Sequence, residues 1–348
     1  MNRYTHLDSL RGIAAVLVLW MHGAIILSAG MEESLITLVV LEVPGWLHFG
    51  RVGVVIFFGL SGYLIAKSLE KDNWKVAFPI KRALRLYPIY LASILAVLFL
   101  IDPDWSPARL LANVTMVPTL FGQIEYMGLY WTLQTEVIFY AIFYLVAWMG
   151  LGSSVRFLFV AAGVLNTLFI IEQLWVEPAY LESLHLMIKK LPQHLAIMFW
   201  GACLYKTRKE DYFSPRVLIL TGYLLLPSLV AAFEFAQSGF AGGPPVIQSY
   251  ATAVTMCFLV FRFHLSVGIF APIGRISYSV YLNHAIVLFL YAKSGMDLGL
   301  VGGMIVFTSI TLVLSWVTYA LIEAPAIRLS RGLVDLTTRR RIVPVAGG

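Results

Sequence analysis

The chain has 348 residues, of which 59% are hydrophobic and 13% charged, with a formal net charge of +6 and a mean hydropathy of +0.82. Soluble domains carry about 25% charged residues, so this composition excludes an ordinary soluble domain and points to a polytopic membrane protein. The positive charge is therefore read from its position around apolar segments and not as a nucleic-acid footprint. The two cysteines, Cys203 and Cys257, both lie in apolar runs and offer neither a disulfide framework nor a metal site.

Apolar windows of about 20 residues predict an all-α fold of about ten transmembrane helices, near 10–29, 51–69, 87–101, 129–149, 156–175, 192–205, 216–235, 246–263, 276–292 and 299–322. The first is longer than the about 7–15 apolar residues of a cleaved signal peptide and carries His22, so it is read as a retained span. Arg11 and His22 are eleven residues apart. On a helix this is about 20° past three full turns and roughly 16 Å of rise, so both side chains lie on one face. Asp8 supplies the N-cap, Arg11 sits at one membrane surface, and His22 sits near the bilayer centre. An ionisable group at that depth is by default a functional candidate.

In the second span Ser61 stands beside Gly62, at about 15 Å from the outer face; helix packing is the simpler reading for it. The third span is short and follows a basic cluster in which Arg82 and Arg85 share a face. Pro88 fits its first turn. The apolar stretch 113–122 is too short to cross and reads as a re-entrant or interfacial piece. In the fourth span Glu136 lies about 10 Å deep, with Tyr140 one turn further in. The ninth follows Arg275 and carries His284 about 13 Å above the inner surface. Trp46, Trp105 and Trp175 are read as interface anchors.

With the N-terminus inside, only Arg51, Arg109, Lys189, Lys190 and Lys293 of the 25 basic residues fall on the outer side. The positive-inside rule then places both termini in the cytoplasm of a multi-pass protein of the plasma (cytoplasmic, or inner) membrane. The expected organisation is one domain, 1–348, with a helical core over about 8–325 and a basic tail over 326–348. No internal repeat is visible, which weighs against an inverted-repeat transporter.

Depth counting sorts the polar residues into two layers. His22, Ser61, Glu136 and His284 fall near mid-membrane, and Arg11, Arg82, Arg85 and Arg275 at the inner surface. Several arginines open to the cytosol suit a donor with several phosphates. The mid-depth layer suits group transfer: His22 as general base toward a hydroxyl acceptor, Glu136 orienting it or stabilising imidazolium, and Ser61, Tyr140 and His284 lining the site. The competing reading is a transporter or flippase of lipid-linked glycans in which His22 and Glu136 relay protons.

Five motifs carry a resemblance to a known family. They are Leu7-Asp8-Ser9-Leu10-Arg11-Gly12 with His22; Gly53 to Ile65, containing Phe57-Phe58-Gly59-Leu60-Ser61-Gly62-Tyr63; Lys81 to Tyr90; Tyr130 to Glu136; and Gly274 to His284 with Tyr319 to Pro325. Over nearly its whole length the chain resembles the acyltransferase-3 family of integral-membrane O-acyltransferases. The resemblance implies ten helices, an acyl-CoA donor (most often acetyl-CoA), a hydroxyl acceptor on a glycan or other small molecule, and polysaccharide O-acetylation as a typical outcome. It implies His22 as catalytic base and Arg11 in donor binding or catalysis. Ser9, Tyr63 and Thr132 depart mildly from the family pattern and spare Arg11, His22 and Glu136. Because the sequence ends soon after Pro325, the resemblance points to a stand-alone form without the extracytoplasmic esterase-like domain of some members. Such a form would pass its acyl group directly to the acceptor or to a separate glycan-handling protein.

Overall fold

The computed structural model describes residues 5–27, 47–71, 73–101, 106–175, 186–207, 209–226 and 246–342, and every regular element among them is helical. The α-helices are α1 (Thr5–Leu27), α2 (Phe49–Ser68), α3 (Trp74–Leu100), α4 (Pro107–Val114), α5 (Trp131–Trp148), α6 (Val155–Trp175), α7 (Leu186–Lys206), α8 (Pro215–Tyr223), α9 (Val246–Phe263), α10 (Ala271–Arg275), α11 (Ser277–Ser294), α12 (Gly299–Thr318) and α13 (Ala324–Ile342). A five-residue π-turn, Tyr319–Glu323, joins the last two.

Six helical stretches are long and apolar enough to cross a membrane: Thr5–Leu27, Phe49–Ser68, Trp74–Leu100, Gly128–Trp148, Val155–Glu172 and Gly299–Thr337. A seventh candidate is the pair Gln248–Phe263 and Gly268–Arg275, bent by 104° at its break. The chain is thus a multi-pass helical protein with six or seven candidate spans among the described residues, fewer than the ten expected. The difference has a physical reason. Helices do form at the sixth and ninth expected positions, but α7 carries Lys189, Lys190, Gln193 and His194, and α11 carries Asn283, His284 and Lys293. Their polarity is tolerated because Gln193, His194, Asn283 and His284 are buried against other helices. The expected span 216–235 lies partly outside the described residues, as do Trp46, Trp105 and the side chain of Trp175.

The third expected span also changes. Its helix begins at Trp74, well before 87, with Pro79 and Pro88 inside it, so Arg82 and Arg85 are helical residues and not part of a flanking loop. The stretch 113–122 is an end of α4 followed by the short 3-10 turn Pro118–Phe121, closed by Gly122 in the left-handed conformation (φ 66°), in keeping with its reading as too short to cross. Cys203 and Cys257 are buried free thiols, as their apolar surroundings suggested.

Helix α2 is central and packs on α1, α7 and α9. Two close approaches fix the bundle. A Cβ at Gly62 would lie 1.8 Å from the Met198 carbonyl oxygen, and one at Gly274 would lie 1.7 Å from that of Asp8. Only glycine lets these backbones touch, and the second contact clamps α10 onto the first turns of α1. Helices α1 and α2 run antiparallel: Gly50 packs on Met21, and Gly53 on Ala14 and Val18.

Candidate active site

The two candidate residues of α1, Arg11 and His22, lie in different surroundings. Arg11 lines a cleft of about 770 Å³, counting its open mouth, together with Arg82 and Arg85 from α3, Ser61 from α2 and Glu136 and Tyr140 from α5. These residues meet because α1 and α2 are antiparallel. Ser61 lies eleven residues below Gly50, and Arg11 eleven below His22, so packing Gly50 on Met21 brings Ser61 to the level of Arg11.

Within the cleft Glu136 is the hub. Its Oε1 accepts from Ser61 Oγ at 2.6 Å and from the Tyr140 hydroxyl. The Arg82 guanidinium stacks over the Tyr140 ring at 5.2 Å and over Phe78 at 5.5 Å, which holds it at the wall by cation–π attraction. Arg85 has an acidic neighbour that sequence reasoning left out of the site. Glu323, in the π-turn and 1% exposed, accepts from Ser279 Oγ at 2.8 Å and lies within electrostatic reach of Arg85 and Arg11. Its sequence signal was a lone carboxylate closing the apolar run before Ala324-Pro325.

The far end of the cleft is formed by Val54, Phe57, Thr132 and Tyr281. Tyr281 is pinned there. Its hydroxyl donates to the Leu129 carbonyl at 2.5 Å and shares a second bond, also 2.5 Å, with the Thr132 hydroxyl. Its ring meets Phe57 edge-on at 6.5 Å and the His284 ring at 5.7 Å. Beyond it His22 and His284 form a pair, with His22 Nδ1 and His284 Nε2 3.1 Å apart.

The nine residues singled out from the sequence are thus divided differently from the depth count. Arg11, Arg82, Arg85, Ser61, Glu136 and Tyr140 share the cleft; His22 and His284 pair with each other outside its lining. The expectation that Ser61 and Glu136 share the level of His22 is corrected. Glu136 bonds Ser61 and Tyr140, and the partner of His22 is His284. Arg275 is exposed at the end of α10 and does not line the cleft. Among the described residues no cluster of three His, Cys, Asp or Glu could hold a metal ion.

Residues 4–320 match the acyltransferase domain family. The chain belongs to it. Two curated proteins are similar to this acyltransferase. One, named as a candidate acetyltransferase, ORF330, of Acidianus two-tailed virus, is 26% identical over 268 residues, covering 74% of this chain and 77% of its own. Another, the O-acetyl transferase of Shigella phage Sf6, is 33% identical over 88 residues, 25% of this chain and 24% of its own. No solved structure matches.

Proposed function

We propose that this acyltransferase moves an acyl group, acetyl in the first instance, from acyl-CoA to a hydroxyl of a glycan or other small acceptor, with His22 as general base. The observation that carries the reading is the convergence of Arg11, Arg82 and Arg85 in one cleft whose far wall, Tyr281, is the neighbour of the His22–His284 pair. Three guanidiniums from two helices match a donor that carries phosphates at one end. The rise of about 16 Å from Arg11 to His22 suits a donor whose reactive thioester is held at the end of a long arm. The family membership and the names of the two relatives support acyl transfer, and one of those names supports oxygen as the acceptor atom.

In this reading the arginine end faces the cytosol, where the distribution of Lys and Arg puts it. The phosphates settle on Arg11, Arg82 and Arg85, and the arm runs past Ser61 and Glu136 toward Tyr281. His22 removes the proton of the attacking hydroxyl as its oxygen bonds the acyl carbon. The carbon–sulfur bond breaks, and the thiolate takes that proton from His22. General-base catalysis of this kind contributes about 10²–10⁴-fold. The test is His22→Ala in the full chain, supplied in membranes with radiolabelled acetyl-CoA and scored for alkali-labile ester label. The variant is expected to remain folded and inserted and to transfer no label; wild-type transfer would overturn the assignment.

A further inference from the structure

The proposed transfer uses the cleft residues and His22, and leaves the buried partner of His22, His284, without a part. We propose that His284 is the positioning residue of the reaction: it fixes the tautomer of His22 so that Nε2 carries the lone pair that receives the acceptor's proton. The proposal rests on His22 being the base and adds the element that makes it one.

His284 Nδ1 lies 3.2 Å from the Val280 backbone oxygen, one helical turn earlier. A carbonyl oxygen only accepts, so Nδ1 carries a hydrogen, and a neutral imidazole with a proton on Nδ1 has a bare acceptor at Nε2. That bare nitrogen faces His22 Nδ1 at 3.1 Å. The contact is a hydrogen bond only when His22 Nδ1 donates, and the His22 lone pair is then at Nε2. Val18, which stands to His22 as Val280 stands to His284, offers the His22 ring a backbone acceptor as well. The opposite assignment sets a lone pair of His284 against the Val280 carbonyl.

His284 is built to hold this arrangement. It is 1% exposed, and its ring packs on Tyr281, whose own hydroxyl is doubly bonded. The two imidazoles are tilted by 30° with centroids 5.1 Å apart, so they meet through nitrogen atoms and not face to face. The logic is that of a catalytic triad, in which a third group orients the base and sets its tautomer. Here the orienter is a neutral ring and not a carboxylate, and so adds no charge to the apolar layer. Through the cycle His22 Nδ1–H stays on His284 while Nε2 takes the hydroxyl proton and returns it to the departing thiolate.

The experiment compares His284→Leu, His284→Gln and His22→Ala with the wild type, using the full chain, acetyl-CoA and the acceptors present in membranes. Leucine keeps the volume and removes the acceptor; glutamine can place its amide oxygen near the position of Nε2. His284→Leu is expected to lose turnover by about 10²-fold or more, with the KM for acetyl-CoA unchanged, and His284→Gln to recover at least tenfold of that loss. Nitrogen NMR on histidine-labelled protein should show His22 as the Nδ1–H tautomer in the wild type, with a smaller share of that tautomer in His284→Leu. A wild-type spectrum with His22 as Nε2–H, turnover in His284→Leu within about threefold of the wild type, or a loss that glutamine does not relieve overturns the proposal. Should His284→Leu fail to fold, the wild-type spectrum and the glutamine variant still decide. An inactive His22→Ala beside a fully active His284→Leu rejects the positioning role alone; an active His22→Ala rejects the base itself.

Discussion

Arg11→Gln separates donor binding from everything else in the cleft. In the wild type the Arg11 guanidinium has Asp8 at 3.9 Å and the like charges of Arg85 and Arg82 within electrostatic reach. Removing it relieves that repulsion and also takes the charge away from Asp8 and Glu323, so the donor-free protein should melt near the wild-type temperature. The loss appears on binding. A charge-assisted hydrogen bond is worth about 1.5–3 kcal/mol, and tenfold in affinity is about 1.4 kcal/mol, so the KM for acyl-CoA should rise about 10- to 100-fold. Turnover at saturation should change by less than about threefold, because a phosphate contact is the same in ground and transition states. Ligand-induced stabilisation gives a second readout. At a concentration of about 100 times the wild-type Kd, coenzyme A stabilises the folded protein by about 2.7 kcal/mol. In the variant, at that same concentration, the stabilisation falls to between about 1.4 and 0.4 kcal/mol. Thermal unfolding in detergent with and without coenzyme A measures the difference, with exposed Arg275→Gln as the control. An unchanged KM and an unchanged ligand-induced shift in Arg11→Gln would refute the phosphate role.

Two further outcomes follow from packing and titration. Gly274→Ala puts a methyl group 1.7 Å from the Asp8 carbonyl oxygen, forcing α10 off α1 at a cost of about 3 kcal/mol or more; a monodisperse variant with the wild-type melting temperature would contradict that contact. On the surface, Glu70 accepts from Tyr205 at 2.5 Å and Lys206 at 2.9 Å, tying the end of α2 to the end of α7. Partial burial pushes its carboxyl up, but these two hydrogen bonds and the charges of Lys206 and Lys67 outweigh that and hold it below the usual glutamate range. A depressed carboxyl stabilises the fold above its unfolded value, near pH 4.3, and loses that contribution as pH falls through the lower folded value. The gap in melting temperature between wild type and Glu70→Gln should therefore be present at neutral pH and close in acid; a gap that persists below the glutamate range would show that the latch is not ionic.

The sequence was most legible where one helix decides the geometry. The spacing of Arg11 and His22 on a single helical face needs no tertiary information, and neither does the pairing of Arg82 with Arg85. Depth counting fared worse because it measured each span from an assumed membrane face. Helix α2 begins at Phe49 and docks Gly50 on Met21, which carries Ser61 away from His22 and down to Arg11. Glu136 shifted with it, through its bond to Ser61. Arg275 shows the reverse error: it sits at the right end of the molecule, on an exposed corner of α10 that sequence spacing cannot orient. Tyr281 and Glu323 were out of reach for another reason. Their roles come from what stands opposite them, Phe57 and His284 for the first and Arg85 for the second, and that is decided only by assembly.

Tyr281 has an electrical consequence. The arginine cleft opens into an otherwise apolar bundle, and Tyr281 is among the residues that line it. In a membrane carrying a voltage, such a cleft brings the potential of one compartment inward and leaves most of the drop to the thin apolar layer that remains. Tyr281 packs against Phe57 and against His284, the partner of His22. A charge shifted through this layer feels a larger share of the full about 2.3 kcal/mol per 100 mV than one shifted the same distance along the cleft. Steps that move charge between the cleft and the histidine pair should therefore respond to membrane potential more strongly than donor binding does.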